Sequence, residues 1–436
     1  MMDRKRLIPS LERLNTAIVG CVGDIMLDRF VYGDAQRISP EAPIPVLRVH
    51  SEQSMLGGIG NVVRNLGALG SGIRLFSIIG ADTAGSEVRG LLDKTPNCDA
   101  YLLVEYSRTP PLKVRYIAHS QQLLRADHET TDAAAADVFG ALVKEFETHV
   151  NECSVVFLSD YAKGVLAGSH ASDLIRVARS AGKPVVVDPK GRDFERYAGA
   201  TVIKPNLKEL GEATGISTGT TEAQETAARV LLERTGAEYL LLTRGSAGML
   251  LVPKLGECRE FPSLAQEVYD VSGAGDTVAA VLSAALGSGV GMMEAVELAN
   301  IAAGIVVGKV GTAVADRSEI LREIEQETAT ATSGKILNLK EAAERVRDWR
   351  RMGKRVGVVA DRFDPVTPTH LETLEQTREH TGRLIAALTG SGGGMRELLL
   401  ASLIHVDAVV VCETAAEAYA ALDPDLRVEF ADEEGE

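Results

Sequence analysis

The chain has 436 residues, 45% of them hydrophobic and 25% charged, and a net charge of −15. One hydrophobic core stops growing at roughly 250–300 residues, so the length calls for two domains, and the acidic balance argues against nucleic acid or an anionic membrane as partner, since both need a basic footprint. Five cysteines at wide spacings, with no Cys-x-x-Cys pair, read as reduced thiols of a cytoplasmic protein without structural zinc, and no apolar run reaches the ~18 residues of a membrane span.

Residues 16–24, Thr-Ala-Ile-Val-Gly-Cys-Val-Gly-Asp, form a short apolar run that delivers an acid at its end, the pattern of a buried strand. Residues 30–50 and 112–127 alternate instead and predict antiparallel strands of a small lid, which would close over substrate or pair with a second subunit. Further strands are predicted at Ile73–Ile79, Val155–Ser159, Pro184–Asp188, Thr201–Lys204 and Tyr239–Thr243, with helices at Ala171–Ala181 and Glu222–Thr235 among them. This alternation is that of a mostly parallel α/β sheet with helices on both faces. Ligands of such sheets bind at the carboxyl ends of strands. Asp24, Asp160, Asp188, Asn206 and Thr243 all fall there. Any one of them alone reads as a cap or turn residue; their recurrence points to a shared cleft.

The polar stretch Glu325–Lys335 reads as a linker, which divides the chain into a first domain over 1–325, a linker over 326–335 and a second, small α/β domain over 336–436. In the second domain a helix is expected at Asn338–Met352 and strands from Arg355, at Arg383–Leu388 and at Ala408–Cys412. Ser391–Gly394 reads as a flexible loop and Asp432–Glu436 as an acidic tail.

The densest chemical signal is Asp270-Val-Ser-Gly-Ala-Gly-Asp276-Thr277, followed by the apolar segment Val278–Leu286. Small residues let the backbone approach a ligand. The free amides of a helix start, with the macrodipole behind them, make an anion hole. A carboxylate in the same turn can take a proton from an attacking hydroxyl, so the string holds the parts that phosphoryl transfer needs. A Gly-x4-Gly-Lys-Ser/Thr string is absent, which excludes a P-loop enzyme.

That string resembles the signature of the ribokinase-like (PfkB) carbohydrate kinases, and Gly57-Gly58-Ile59-Gly60-Asn61 resembles their second, N-terminal signature. Gly23–Arg29, Arg37–Pro45, Leu158–Gly164, Asp188–Gly191 and Ala265–Asp270 are similar, more narrowly, to the kinase half of the bifunctional family of D-glycero-β-D-manno-heptose 7-phosphate kinases and heptose 1-phosphate adenylyltransferases. The resemblance implies a ribokinase-like fold, Asp276 as base, and the amides of Gly273, Ala274 and Gly275 as anion hole. Asn206 and Glu209 would lie near Mg²⁺ and the ATP phosphates, with Thr243, Arg244, Gly245 and Asn300 on the nucleotide side and a monovalent cation as a further candidate. Asp24, Gly57, Gly58 and Asn61 would bind the sugar, and Arg115, Arg125 and Lys190 are candidates for its distal phosphate. Ile59, Gly60 and Arg64 depart from the family pattern and bear on substrate preference. The implied reaction is ATP-dependent phosphorylation of the anomeric hydroxyl of the heptose 7-phosphate to the 1,7-bisphosphate, in ADP-heptose synthesis, by a homodimer. The rivals are a kinase for another sugar, sugar phosphate or nucleoside, and a non-catalytic sugar-phosphate or nucleotide sensor.

Val358–His370 is similar in layout to the nucleotidyltransferase half of that family, where a strand leads to a His-x-Gly-His motif. Here the four positions are Thr367-Pro368-Thr369-His370. Only the second histidine remains, and Thr369 replaces the glycine that admits phosphates. The expectation is a degenerate nucleotidyltransferase-like domain, with His370 a helix-start or core histidine before it is a catalyst.

Overall fold

The apolar runs line up side by side as strands. The computed structural model describes residues 4–430 except 119–120, 266–268, 310 and 391–393, and no side chains over 327–333. The Ser391–Gly394 loop, the Asp432–Glu436 tail and the middle of the Ala265–Asp270 string therefore lie outside the described residues, wholly or in large part. The chain divides into two units, one over Arg6–Glu323 and one from Ile324 onward.

In chain order the strands of the first unit are β1 Ile18–Gly23, β2 Ile25–Ile38, β3 Pro45–Gly58, β4 Gly72–Ile79, β5 Cys98–Val104, β6 Leu112–Ala118, β7 Gln121–His128, β8 Val155–Ser159, β9 Val185–Asp188, β10 Val202–Ile203, β11 Tyr239–Thr243, β12 Met249–Pro253 and β13 Arg259–Phe261. Nine of them form one sheet in the order β13-β12-β11-β10-β9-β8-β1-β4-β5. Every strand from β11 across to β5 runs parallel, and β12 and β13 fold back antiparallel at one edge. Strand β8 is buried at every position, as a strand covered on both faces must be. Val156 and Leu158 face Phe146 and Leu174 of two covering helices. On the other face the helix Ala274–Gly287 packs against β1 and β8 and against the helix Ile59–Leu69. Chain crossovers leave the central β1 in both directions, toward β4 and toward β8. That reversal opens a crevice at the carboxyl ends of the strands.

The predicted lid is a separate four-stranded sheet, β3-β2-β6-β7. Its β2 and β3 are 14 residues each and antiparallel, whereas β2 and β6 run parallel. Strand β2 starts directly after Asp24 and β3 ends on Gly57-Gly58, so the roots of the lid are the two N-terminal motifs themselves.

The second unit is an all-parallel sheet of β14 Ile336–Leu337, β15 Arg355–Asp361, β16 Gly382–Thr389, β17 Ala408–Cys412 and β18 Leu426–Glu429, in the order β14-β17-β16-β15-β18. Val358, Ile385 and Val410 point into one core, and Val359, Leu384 and Leu388 into another, so helices cover both faces. The short, half-exposed β14 and β18 carry no pattern that sequence reading detects. The linker reading of 326–335 is corrected over most of its length: the helix Arg317–Ser333 runs through it. No glycine or proline interrupts the segment before Gly334, so nothing in it stops the helix that enters from Arg317.

His370 sits in the first turn of the helix Pro368–Thr381. Its Nδ1 accepts the Thr367 backbone N–H at 2.8 Å, which leaves the ring proton on Nε2, 3.0 Å from Asp361 Oδ2. The ring packs against Phe363 and Phe430. Both nitrogens are thus occupied inside the unit, in a reciprocal cap. Replacing His370 by Ala should destabilise the second unit by about 1–3 kcal/mol and speed amide exchange across Pro368–Thr381. Unchanged exchange would mean that the histidine is not a structural cap.

Candidate active site

Asp276 is the third residue of the helix Ala274–Gly287 and is buried. The residue before the helix, Gly273, has φ +83°, and a Cβ there would stand 2.8 Å from Asn61 Nδ2. Only glycine makes this turn cheaply. No side chain caps the helix start, and the first-turn amides have no acceptor within the helix; Ala274 N makes one long bond, 3.4 Å, to Val271 O. Gly273, Ala274 and Gly275 therefore present an open, positive helix end to the cavity. The buried Lys204, at the end of β10, adds a full charge beside Gly275.

Two donors hold the Asp276 carboxylate. Asn61 Nδ2 donates to Oδ2 at 2.8 Å and the Tyr161 hydroxyl donates to Oδ1 at 2.8 Å. The amide of Asn61 is oriented by Arg64, whose Nη1 donates to Asn61 Oδ1 at 3.3 Å and to Thr312 O at 3.1 Å. Burial raises the Asp276 carboxyl above its ordinary pKa; the Asn61 and Tyr161 bonds and the Lys204 charge pull it back, and Asp28 pushes it further up. Lys204 Nζ also pairs with Asp188 Oδ1 at 2.9 Å. Burial lifts Asp188 to about 6 in spite of that pairing.

A cavity of about 570 Å³ opens over this helix start, lined by Asp276 and the anion-hole residues. On its far side Asn206 caps the helix Leu207–Thr214 in a reciprocal box: its Oδ1 accepts Glu209 N at 2.9 Å and its N donates to Glu209 Oε2 at 3.0 Å. Thr243, Gly245 and Asn300 line the same region, the last with its Nδ2 on Pro262 O at 2.8 Å. Lys190 lines the same cavity, 2.9 Å from Glu209 Oε1. Arg244 is turned away from the cavity. It is buried, donates to Ala247 O and Met249 O, and pairs with Glu260 at 2.8 Å; as a long cation following a strand end, it ties down the hairpin edge.

The lid side separates the remaining candidates. Asp24 does not reach the cavity. Its carboxylate accepts three backbone amides, Tyr161 and Lys163 at 2.9 Å and Val165 at 3.0 Å, so a strand-end acid expected to bind sugar clamps a loop instead. Four residues on, Asp28 is buried against Gly57, where a Cβ would collide with its carboxylate, and it pairs with Arg115 at 2.5 Å. Gly58, at φ +58°, admits the Asp24 carbonyl. Arg125 stands opposite Arg115 in the β6–β7 register and pairs with Asp127 at 2.9 Å. Sequence reasoning missed Asp28, Tyr161 and Lys204. The repeat of Asp at positions 24 and 28 and the strand-end string Lys204-Pro205-Asn206 were the available signals.

Residues 17–318 match the family model described as pfkB family carbohydrate kinase. Proteins named Bifunctional protein HldE are similar over nearly the whole chain. The one from Paramagnetospirillum magneticum is 45% identical, covering 99% of this chain and 92% of its own length, and the one from Rhodospirillum rubrum is 45% identical, covering 98% and 88%. Among solved structures, Arabidopsis thaliana ribokinase complexed with ribose and ATP superposes with a TM-score of 0.57 at 20% identity, over 71% of this chain and 99% of that one. Escherichia coli phosphofructokinase-2 in complex with potassium gives 0.59 at 21%, over 71% and 98%. The likeness to these structures, at about 20% identity, is one of fold; the family match over residues 17–318 and the 45% identity over nearly the whole chain place the chain in the pfkB family of carbohydrate kinases.

Proposed function

We propose that the first unit transfers the γ-phosphoryl group of ATP to the anomeric hydroxyl of D-glycero-β-D-manno-heptose 7-phosphate, giving the 1,7-bisphosphate and ADP for ADP-heptose synthesis. The observation that carries the reading is the buried Asp276 carboxylate, held by two donors at an uncapped helix start. The narrower strings shared with the heptose kinases, and the 45% identity to proteins named Bifunctional protein HldE, support the choice of sugar.

In this reading the acceptor hydroxyl gives its proton to Asp276 as its oxygen bonds to the γ-phosphorus and the bond to the ADP oxygen breaks. The amides of Gly273, Ala274 and Gly275, with Lys204, stabilise the negative charge on the moving group. Asp28 orients the sugar hydroxyls, and Arg115 and Arg125 on the lid meet the distal phosphate. Thr243, Gly245 and Asn300 receive the nucleotide. Among the described residues no cluster of three or more His, Cys, Asp or Glu could hold a metal alone. The oxygens of Asn206 and Glu209 at the cavity wall suit a hydrated Mg²⁺ carried on the phosphates, which would neutralise their charge.

Wild-type enzyme should consume ATP with heptose 7-phosphate far faster than with fructose 6-phosphate, ribose or adenosine, and Asp276→Asn should lose about a thousandfold in kcat. Preference for another member of that panel would overturn the choice of sugar. We also propose that the second unit transfers no adenylyl group, because both nitrogens of His370 are already occupied. Mixing ATP with heptose 1-phosphate should release no pyrophosphate; robust release abolished by His370→Ala would contradict this.

A further inference from the structure

Ala162 has φ +55°, a left-handed conformation that a residue with a Cβ adopts at a cost and keeps only where its surroundings impose it. The surroundings here are unusually complete. Asp160 Oδ1 accepts the Ala162 amide at 2.8 Å. Asp24 accepts the amides on either side, those of Tyr161 and Lys163, and that of Val165. Arg108 Nη1 donates to Lys163 O at 2.8 Å. Two buried carboxylates and a buried guanidinium thus fix a five-residue turn that makes no helix or strand. What the turn presents is the Tyr161 side chain. It lines the cavity, its ring lies 5.9 Å from Lys113 Nζ of the lid, and its hydroxyl donates to Asp276 Oδ1.

We infer that Tyr161 is a positioning residue of the phosphoryl transfer, whose hydroxyl fixes the rotation of the Asp276 carboxylate and favours its ionised, proton-accepting form. The inference rests on Asp276 being the base. Each carboxylate oxygen has two lone pairs. Tyr161 takes one on Oδ1 and Asn61 one on Oδ2, which leaves the acceptor hydroxyl one lone pair on either oxygen of a carboxylate that cannot turn. Burial and the carboxylates of Asp276, Asp188 and Asp28 push the Tyr161 phenol well above its ordinary pKa, so it donates throughout the working pH range. The other charged groups that face Asp276 are Lys204 from β10, Asp188 from β9 and Asp28 from β2. A change confined to the phenol leaves all three in place. The strand-end acid Asp24 thereby acts on the chemistry at one remove, through the loop that carries Tyr161.

The test is steady-state kinetics of full-length Tyr161→Phe across pH, with heptose 7-phosphate and MgATP, beside Asp276→Asn and a protein carrying 3-fluorotyrosine at position 161. Loss of one hydrogen bond to a charged group should lower kcat about tenfold or more. KM for both substrates should stay within about threefold. The acid limb of the kcat profile should move up by about one pH unit, because a bond that favoured the charged carboxylate is gone. The fluorinated phenol, a stronger donor, should move the limb down. If Tyr161→Phe fails to fold, the fluorotyrosine shift decides. Wild-type kcat and an unmoved limb in the folded variants would overturn the inference, as would a loss confined to KM. Full turnover by Asp276→Asn would instead strike the reading of Asp276 as base, whereas a dead Asp276→Asn beside an unaffected Tyr161→Phe would remove Tyr161 alone.

Discussion

Removing a carboxylate from water costs several kcal/mol unless its oxygens are paired, and leaving one oxygen unpaired costs nearly as much. Asp276 meets this constraint with donors brought from two distant parts of the chain, Asn61 and Tyr161, and with the ammonium of Lys204 nearby. Each donor has its own support: Arg64 orients the Asn61 amide, and Asp24 and Asp160 fix the loop behind Tyr161. Much of the polar structure at the carboxyl ends of β1, β8 and β10 follows from keeping one buried charge satisfied while leaving it able to accept a proton.

The parallel sheet makes this convergence possible. It delivers the ends of β1, β8, β9, β10 and β11 to one crevice, and the start of the helix Ala274–Gly287 faces that crevice from behind. Small residues then decide what can approach. Gly273 gives way to Asn61, and Gly57 to the Asp28 carboxylate. The lid grows out of the same two motifs, and Arg115 on β6 pairs with Asp28 on the neighbouring β2.

The sheet was legible because its strands are fully buried runs such as Val155–Ser159, and the helix start because Gly273–Asp276 has a composition that few other structures need. What holds each of the acids after β1 was not legible. Asp24 and Asp28 differ by four positions, and only the loop 161–165, folded back from far along the chain, decides that Asp24 is consumed by backbone amides. Arg244 and Lys190 were placed by motif position, but their partners, Glu260 and Glu209, set where they point. Tyr161 could not be found from periodicity at all, since its placement depends on a strained turn held by its neighbour Asp160 and by Asp24 and Arg108 from two other segments. In the second unit the string ending at His370 was expected to supply a helix-start histidine, and the structure places its ring in the cap of its own helix.

The most direct measurement is calorimetric titration of Asp276→Asn with heptose 7-phosphate and with MgATP, beside its single-turnover phosphoryl transfer. Asparagine keeps the size of the side chain and removes the base, so both ligands should bind within about threefold of wild type while transfer falls by about three orders of magnitude. Transfer at the wild-type rate, or binding lost together with transfer, would contradict a carboxylate that is held in place to take a proton.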